Sequence, residues 1–329
     1  MVTFADTLIS WYNDHKRDLP WRGETDPYKI WVSEIILQQT RVQQGWDYYL
    51  RFIENFPDIK SLAEADEECV LKVWQGLGYY SRARNMHAAS REIMSMHNGF
   101  FPKTYDKILS LKGIGRYTAA AICSIAFQLP YPAHDGNVIR IISRIFGICD
   151  DVTQPAVIKK ITTICETQID PKQPGIFNQA AMDFGAQQCL PRNPKCDECP
   201  FQSNCYAYKN NLIDIIPIKK KKAELKHRYF YYTVYLFNNQ TIIEKRTNSD
   251  IWRNMYQFPL TEKKTEIFTR KPAFSTHETL SHQIIHATFS VKKVKKIPKL
   301  SENQLIVNFD DINNYPIPKI MTEFLANMS

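Results

Sequence analysis

The sequence predicts a mainly α-helical region followed by a smaller α+β domain, and three observations carry that expectation. From Phe4 to about Lys209 the apolar residues recur at helical spacing, as in Val138, Ile141, Ile142 and Ile145, which fall at i, i+3, i+4 and i+7. Beyond His227 the texture changes to β-rich runs, Tyr229 to Phe237 and Thr241 to Glu244, separated by Asn238-Asn239, a pair that tolerates the left-handed turn of a hairpin. Between the two lie Pro217 and the lysine run Lys219 to Lys222, which break the helical period and read as a basic, solvated linker over 217–227. At 329 residues with 44% hydrophobic content, the chain is long enough for two separate cores.

Composition narrows the setting. Asp6, Asp14, His15, Lys16 and Arg17 interrupt the apolar residues of the first 21 positions, so no signal peptide is expected, and no apolar run is long enough to span a membrane. Eight cysteines without an export signal point to a reducing compartment, where clustered thiols more often hold metal than form disulfides. The expectation is a cytoplasmic protein. A formal net charge of +8 suits a polyanionic partner, although charge alone is weak grounds for one.

Asp26-Pro27 reads as a helix start, with Asp as the cap and Pro in the first turn, and Trp31, Val32, Ile35 and Ile36 supply the buried face. Glu34 shares the opposite face with Gln38 and Arg41. By pattern alone it is a surface residue. Flanked by Trp31 and Ile35, its carboxyl could instead be desolvated enough to stay protonated near neutral pH.

Leu109 and Leu111 close one helix, Gly113 and Gly115 allow a tight turn, and Tyr117 to Ala126 form a second helix rich in small residues. That is a helix-hairpin-helix, whose glycines let backbone N–H groups approach a phosphate without reading sequence. Twenty residues after Gly115 comes Asp135, placed to cap the apolar helix that starts near Val138. Backbone donors and the helix dipole would hold it ionised. One carboxylic acid and one carboxylate in opposite environments are the pair that glycosidic cleavage needs.

Cys189, Cys196, Cys199 and Cys205 are separated by six, two and five residues, in a loop punctuated by Pro191, Pro194 and Pro200. Four thiolates can hold tetrahedral zinc or an iron-sulfur cluster, and the long outer gaps favour the bulkier group. Cys69, Cys123, Cys149 and Cys165 lie in helical apolar patterns and read as small core residues.

Leu19-Pro20-Trp21-Arg22, Val32 to Thr40, Gly76-Leu77-Gly78-Tyr79-Tyr80-Ser81-Arg82, Gly113 to Ala119 and Asp135-Gly136-Asn137-Val138 resemble, in order, the motifs of the MutY family of adenine DNA glycosylases. The resemblance covers about the first 210 residues. It implies a helix-hairpin-helix (HhH-GPD) region over 1–216, with a six-helix barrel at about 22–133 and a cluster domain built from 1–21 and 134–216. It also implies a [4Fe-4S] cluster on the four cysteines, structural rather than catalytic. The implied substrate is double-stranded DNA in which adenine is mispaired with 8-oxoguanine or guanine, and the implied form is a monomer in the bacterial cytoplasm.

On that resemblance Glu34 protonates the flipped purine, Asp135 stabilises or traps the oxocarbenium-like sugar, and Tyr117 and Asn137 support them. Arg17 and Trp21 are implied as active-site support. Arg22, Gln39, Thr40, Leu77, Tyr79, Gly113 and Gly115 are implied as DNA contacts. Tyr117 stands where the related endonuclease III enzymes carry a Schiff-base lysine, so strand cleavage by β-lyase chemistry is not expected. Residues 228–329 resemble, more loosely, the Nudix-like recognition domain of the same family through Trp252, Phe258-Pro259 and Leu280-Ser281-His282, with Ser281 and His282 implied at the 8-oxoguanine. Leu280 and His134 depart from the residues common at those positions, and no Glu-rich Nudix hydrolase box follows Trp252.

Overall fold

The computed structural model describes residues 2–220, 224–262 and 272–328, and they divide into two compact units. The first comprises Met1–Ala63 and Ala88–Lys221, the second Glu64–His87 and Lys222–Ser329. Lys221 and Lys222 of the expected linker lie outside the described residues. Among the described residues no helix is long and apolar enough to cross a membrane.

The first unit is helical throughout. Its helices are α1 (Phe4–His15), α2 (Pro27–Leu37), α3 (Val42–Asn55), α4 (Ile59–Glu64), which ends at the unit's edge, and, after the unit resumes within α6 (Ser81–Met96), α7 (Tyr105–Ser110) and α8 (Arg116–Phe127). They continue as α9 (Gly136–Phe146), α10 (Pro155–Gln168), α11 (Pro174–Gln187) and the single turn α12 (Tyr206–Lys209). Thr3 caps α1 in a reciprocal capping box with Asp6, and Asp26 caps α2 through Tyr28 N at 2.9 Å with Pro27 in the first turn. One core gathers Leu8 and Trp11 of α1, Ile141 of α9, Ile161 of α10 and Phe184 of α11 around buried aromatic contacts. Elsewhere α2 packs on α8, and the side chain of Gln38, just past the end of α2, donates to Thr118 of α8 at 3.3 Å. Arg41 does not share a face with Glu34, because α2 stops at Leu37 and Arg41 already begins the next helix.

The second unit is built on two sheets. Strands β1 (Lys226–Leu236), β4 (Leu260–Thr261), β5 (Phe274–Thr279) and β6 (Gln283–Lys293) form one sheet in the order β4-β1-β6-β5, with β1 and β6 parallel. Strands β2 (Gln240–Lys245), β3 (Tyr256–Gln257) and β7 (Gln304–Asn308) form the other in the order β3-β2-β7. The expected hairpin is therefore only half right. Asn238 adopts the left-handed turn (φ 49°), but β1 and β2 share a single bridge, Phe237 to Gln240, and then part into different sheets.

Period-two burial along β1 and β6 turns Phe230, Tyr232, Val234, Ile285, Ala287 and Phe289 inward, where Phe289 stacks on Phe324 of α13 (Lys319–Met328). The segment Glu64–His87 joins this unit through α5 (Glu67–Val73): Glu68 pairs with Lys245 and accepts from the Tyr256 hydroxyl at 2.9 Å, and Glu67 accepts from Asn254 at 2.5 Å.

Two cysteine expectations are corrected. Cys123 and Cys165 are buried, but Cys69 and Cys149 are exposed. Cys69 sits on the solvent side of the short helix α5, and Cys149 lies past the end of α9, where a helical period no longer decides burial.

Candidate active site and cluster pocket

Glu34 is buried at 8% exposure on α2, which its apolar neighbours Trp31, Ile35 and Ile36 hold in the core. Burial pushes its carboxyl up to about 7, while a hydrogen bond to Tyr117 and the nearby Arg22 guanidinium pull in the opposite direction and Asp135 adds to the rise. The Tyr117 phenol, in the first turn of α8, is raised well above its ordinary range by burial and by the carboxylates of Glu34 and Asp135. Its hydroxyl also lies 3.5 Å from Met182 Sδ.

Asp135 caps α9. Its Oδ1 accepts from the backbone amides of Asn137 at 2.8 Å and Val138 at 2.9 Å, and its Oδ2 accepts from Asn137 Nδ2 at 2.7 Å. Asn137 is held in turn by Arg140, whose guanidinium donates to Asn137 Oδ1 at 3.0 Å, to Gly185 O at 2.7 Å and to Cys189 O at 2.8 Å. Gly185 has no substitute here, since a Cβ on it would lie 2.5 Å from the Asn137 Cβ.

Glu34, Tyr117, Asp135 and Asn137, all read from the sequence, thus belong to one electrostatic cluster. Arg140 was missed. The available signal was an arginine on a largely apolar helix, five positions past the capping aspartate.

Arg17 and Arg22 converge on the fully buried Asp183, each through a guanidinium nitrogen at 2.6 Å from Oδ1. The carboxylate thereby fixes Arg22 within electrostatic reach of Glu34. Trp21 is buried against Trp46 and Tyr49, at centroid distances of 6.4 and 5.4 Å, which makes it a packing residue of this unit.

Gln39, exposed in a left-handed conformation (φ 57°), and Thr40 form the turn after α2. Gly113 (φ 82°) makes the hairpin turn, and Gly115 begins α8 with open space where a Cβ would stand and no side-chain cap on the helix amides.

In the second unit, Gly76 and Gly78 (φ 96° and 74°) let the loop present Tyr79, 44% exposed and itself at φ 48°. The Tyr79 hydroxyl meets Ser281 Oγ at 2.5 Å, and His282 is exposed beside it in the turn between β5 and β6. Leu77, expected as a DNA contact, is buried instead, because the loop turns it inward as it turns Tyr79 out.

Cys189, Cys196, Cys199 and Cys205 line one pocket, together with Arg144 and Phe184. Four thiols in a loop with long outer gaps are a donor set that suits an iron-sulfur cluster. Burial, with the neighbouring cysteines adding to it, pushes the Cys199 thiol up to about 11; a bound cluster would supply the positive charge that favours thiolates here. Arg144, also missed from the sequence, is almost wholly buried and braces the loop through Leu190 O at 2.7 Å, Pro191 O at 3.2 Å and Cys189 Sγ at 3.5 Å.

Residues 32–167 match the model of the HhH-GPD superfamily of base excision DNA repair proteins, and residues 189–205 match that of the iron-sulfur binding domain of endonuclease III. Among curated proteins, an adenine DNA glycosylase of Buchnera aphidicola (subsp. Acyrthosiphon pisum) is 33% identical, with 98% of this chain and 97% of the relative aligned. The adenine DNA glycosylase of Mus musculus is 42% identical over 63% of this chain and 42% of its own.

Among solved structures, a thermostable thymine-DNA glycosylase superposes with a TM-score of 0.59 at 29% identity, over 63% of this chain and 95% of that one. A trapped endonuclease III–DNA covalent intermediate superposes with a TM-score of 0.55 at 22% identity over the same shares, and so shares the fold. The loop that carries the four cysteines is accordingly an iron-sulfur binding segment suited to a [4Fe-4S] cluster, and the helical unit carries the endonuclease III-like fold. With a relative aligned over nearly its whole length and two family models matched in the expected order, the chain belongs to the adenine DNA glycosylase family of base excision repair.

Proposed function

We propose that this DNA glycosylase removes adenine mispaired with 8-oxoguanine or guanine, acting as a monomer in the bacterial cytoplasm and leaving an abasic site without cutting the strand. The observation that carries the proposal is the pair of carboxyl groups about Tyr117. Glu34 is buried and pushed up to about 7, whereas Asp135 takes three N–H donors at a helix start.

The first can lend a proton to the departing purine, which weakens the N-glycosidic bond. The second faces the sugar as positive charge develops on it, or traps it before water adds. Asn137, held by Arg140 and by the close approach of Gly185, keeps the Asp135 carboxylate oriented. Tyr117 carries no amine and forms no Schiff base with the sugar, so efficient β-lyase strand cleavage is not expected.

The adenine must leave the stack to reach these groups, and a mispair lowers that penalty. Gly113, Gly115 and the uncapped amides of α8 hold the phosphodiester, Gln39 and Tyr79 fill or wedge the stack near the vacated position, and Thr40 contacts the oxidised guanine. When bound, the cluster supplies structure to the 189–205 loop. Arg140 and Arg144 tie that loop to α9, so the site depends on the loop's shape.

Residues 22–133 are read as the six-helix barrel, 1–21 with 134–216 as the cluster domain, 217–227 as the linker and 228–329 as the Nudix-like domain. In that last domain Ser281 and His282 examine the 8-oxoguanine beside Tyr79.

Single-turnover incubation with a duplex carrying adenine opposite 8-oxoguanine tests the proposal. The expected product is an intact strand that breaks only after alkali. Breakage without alkali, or action on oxidised pyrimidines alone, would point to a lyase instead.

A further inference from the structure

One sheet face of the second unit carries chemistry that base inspection does not use. His227 Nδ1 and His286 Nε2 lie 2.8 Å apart, the ring centroids are 5.1 Å apart, and the planes differ by 14°. Those three values together require the rings to meet end-on and nearly coplanar, nitrogen to nitrogen, with one proton shared between them. Metal–nitrogen bonds of about 2.0–2.1 Å leave no room for an ion on that line. The dyad is therefore a proton-sharing pair.

Whichever ring supplies the inner proton, one outer nitrogen of the neutral pair bears hydrogen and the other is bare. One added proton turns both outer nitrogens into donors and leaves the inner bond intact. A second would set two N–H groups head to head and break it.

The surroundings suit an anion. Tyr229, 52% exposed, lies parallel to His286 at 4.8 Å, and His277 stands directly across from His286 on β5. Along β6 the same face shows Ile284 and Thr288 beside the dyad and Lys292 farther on. Among the described residues of β1, β5 and β6 no outward position carries Asp or Glu.

The face is continuous with the Leu280-Ser281-His282 turn. Leu280 N donates to Gln283 O at 2.8 Å, and Lys226 N, one residue before the dyad, donates to His282 O at 3.2 Å.

We propose that this face, centred on the His227–His286 dyad, is a second DNA contact that grips the phosphodiester backbone beside the base held by the Leu280–His282 turn and takes up a proton as it binds. It rests on the proposed role of that turn in DNA inspection. Backbone contact is indifferent to the base, so it adds affinity without discrimination.

The test measures duplex affinity in the full chain carrying Glu34→Gln, which suppresses turnover, across pH and salt. Expected are tighter binding as pH falls and uptake of up to one proton per complex. Adding His286→Asn should weaken binding of A:8-oxoG, A:G and undamaged duplexes alike by about three- to tenfold, flatten the pH dependence and lower the salt slope by about 1.

Thr288→Asp leaves the dyad in place and should weaken all duplexes similarly, which guards against a simple folding defect in the first variant. Unchanged affinity and slope in both variants would overturn the proposal, as would a loss confined to the 8-oxoguanine duplex. Failure of the wild-type protein to excise adenine would sink the functional reading alone, because the affinity differences are read without catalysis.

Discussion

A carboxyl group that must give up a proton near neutral pH has to sit where its anion is costly. Glu34 is in such a place at 8% exposure, and the cause is the apolar packing of α2 rather than any one partner. Its folded-state value, about 7, lies above the ordinary 4.5, so burial of the acid weakens stability as pH rises through that window and stays fully unfavourable above it. Glu34→Gln should therefore melt higher than wild type at alkaline pH, by an amount on the order of 3 kcal/mol at most, and the difference should vanish at acid pH. The same variant should lose excision, and the wild-type rate should fall as pH rises through about 7. Calorimetric melts and single-turnover rates across pH check both.

Glu34 was legible as a candidate because Trp31 and Ile35 flank it in the sequence, but its burial was not, since a helix period gives a face and not its cover. Gly185 was wholly illegible. A methyl there would strike Asn137, so Gly185→Ala should lower the excision rate by about tenfold or more while leaving DNA affinity nearly unchanged. Single-turnover kinetics with a parallel binding titration separates the two effects.

Local rules settle most of the helical elements. Asp26-Pro27, Gly113 and Asp135 each stand where a cap or a turn needs them, and all were readable because capping and left-handed turns depend on neighbours a few residues apart. Gly113→Ala forces a side chain into φ 82°, so it should destabilise the hairpin by about 1–2 kcal/mol and weaken binding to every duplex, as anisotropy with mispaired and fully paired DNA would show. The β elements were harder. The Asn238-Asn239 turn was visible, yet β1 pairs in parallel with β6, 57 residues distant, and leaves β2 to a different sheet. Long-range pairing is decided by which faces must be buried together, and no local motif encodes it.

For the whole molecule the cysteine loop and the second unit set the dependences. Cys199→Ser should lower iron content and thermal stability together, because the loop is braced to α9 by Arg140 and Arg144 and its shape reaches Asn137. Iron analysis beside a thermal melt decides that. Removal of residues from His227 onward should weaken discrimination of 8-oxoguanine from guanine more than excision itself. It also strips Glu67 and Glu68 of Asn254, Lys245 and Tyr256, so Ser281→Ala is the gentler companion. Equal loss on both substrates in Ser281→Ala would count against a recognition role.

By itself the sequence determined the helical and α+β division, the capping aspartate, the glycine hairpin and the four-cysteine loop, because these rest on spacings of a few residues. Only the tertiary structure decided that Glu34 is desolvated, that Arg140 joins the cluster loop to Asn137, that Leu77 turns inward while Tyr79 meets Ser281, and that two histidines 59 residues apart share a proton. The physical reason is common to all four. Burial and hydrogen bonding between distant segments follow from how whole faces pack, and a linear pattern specifies the face but not what comes to cover it.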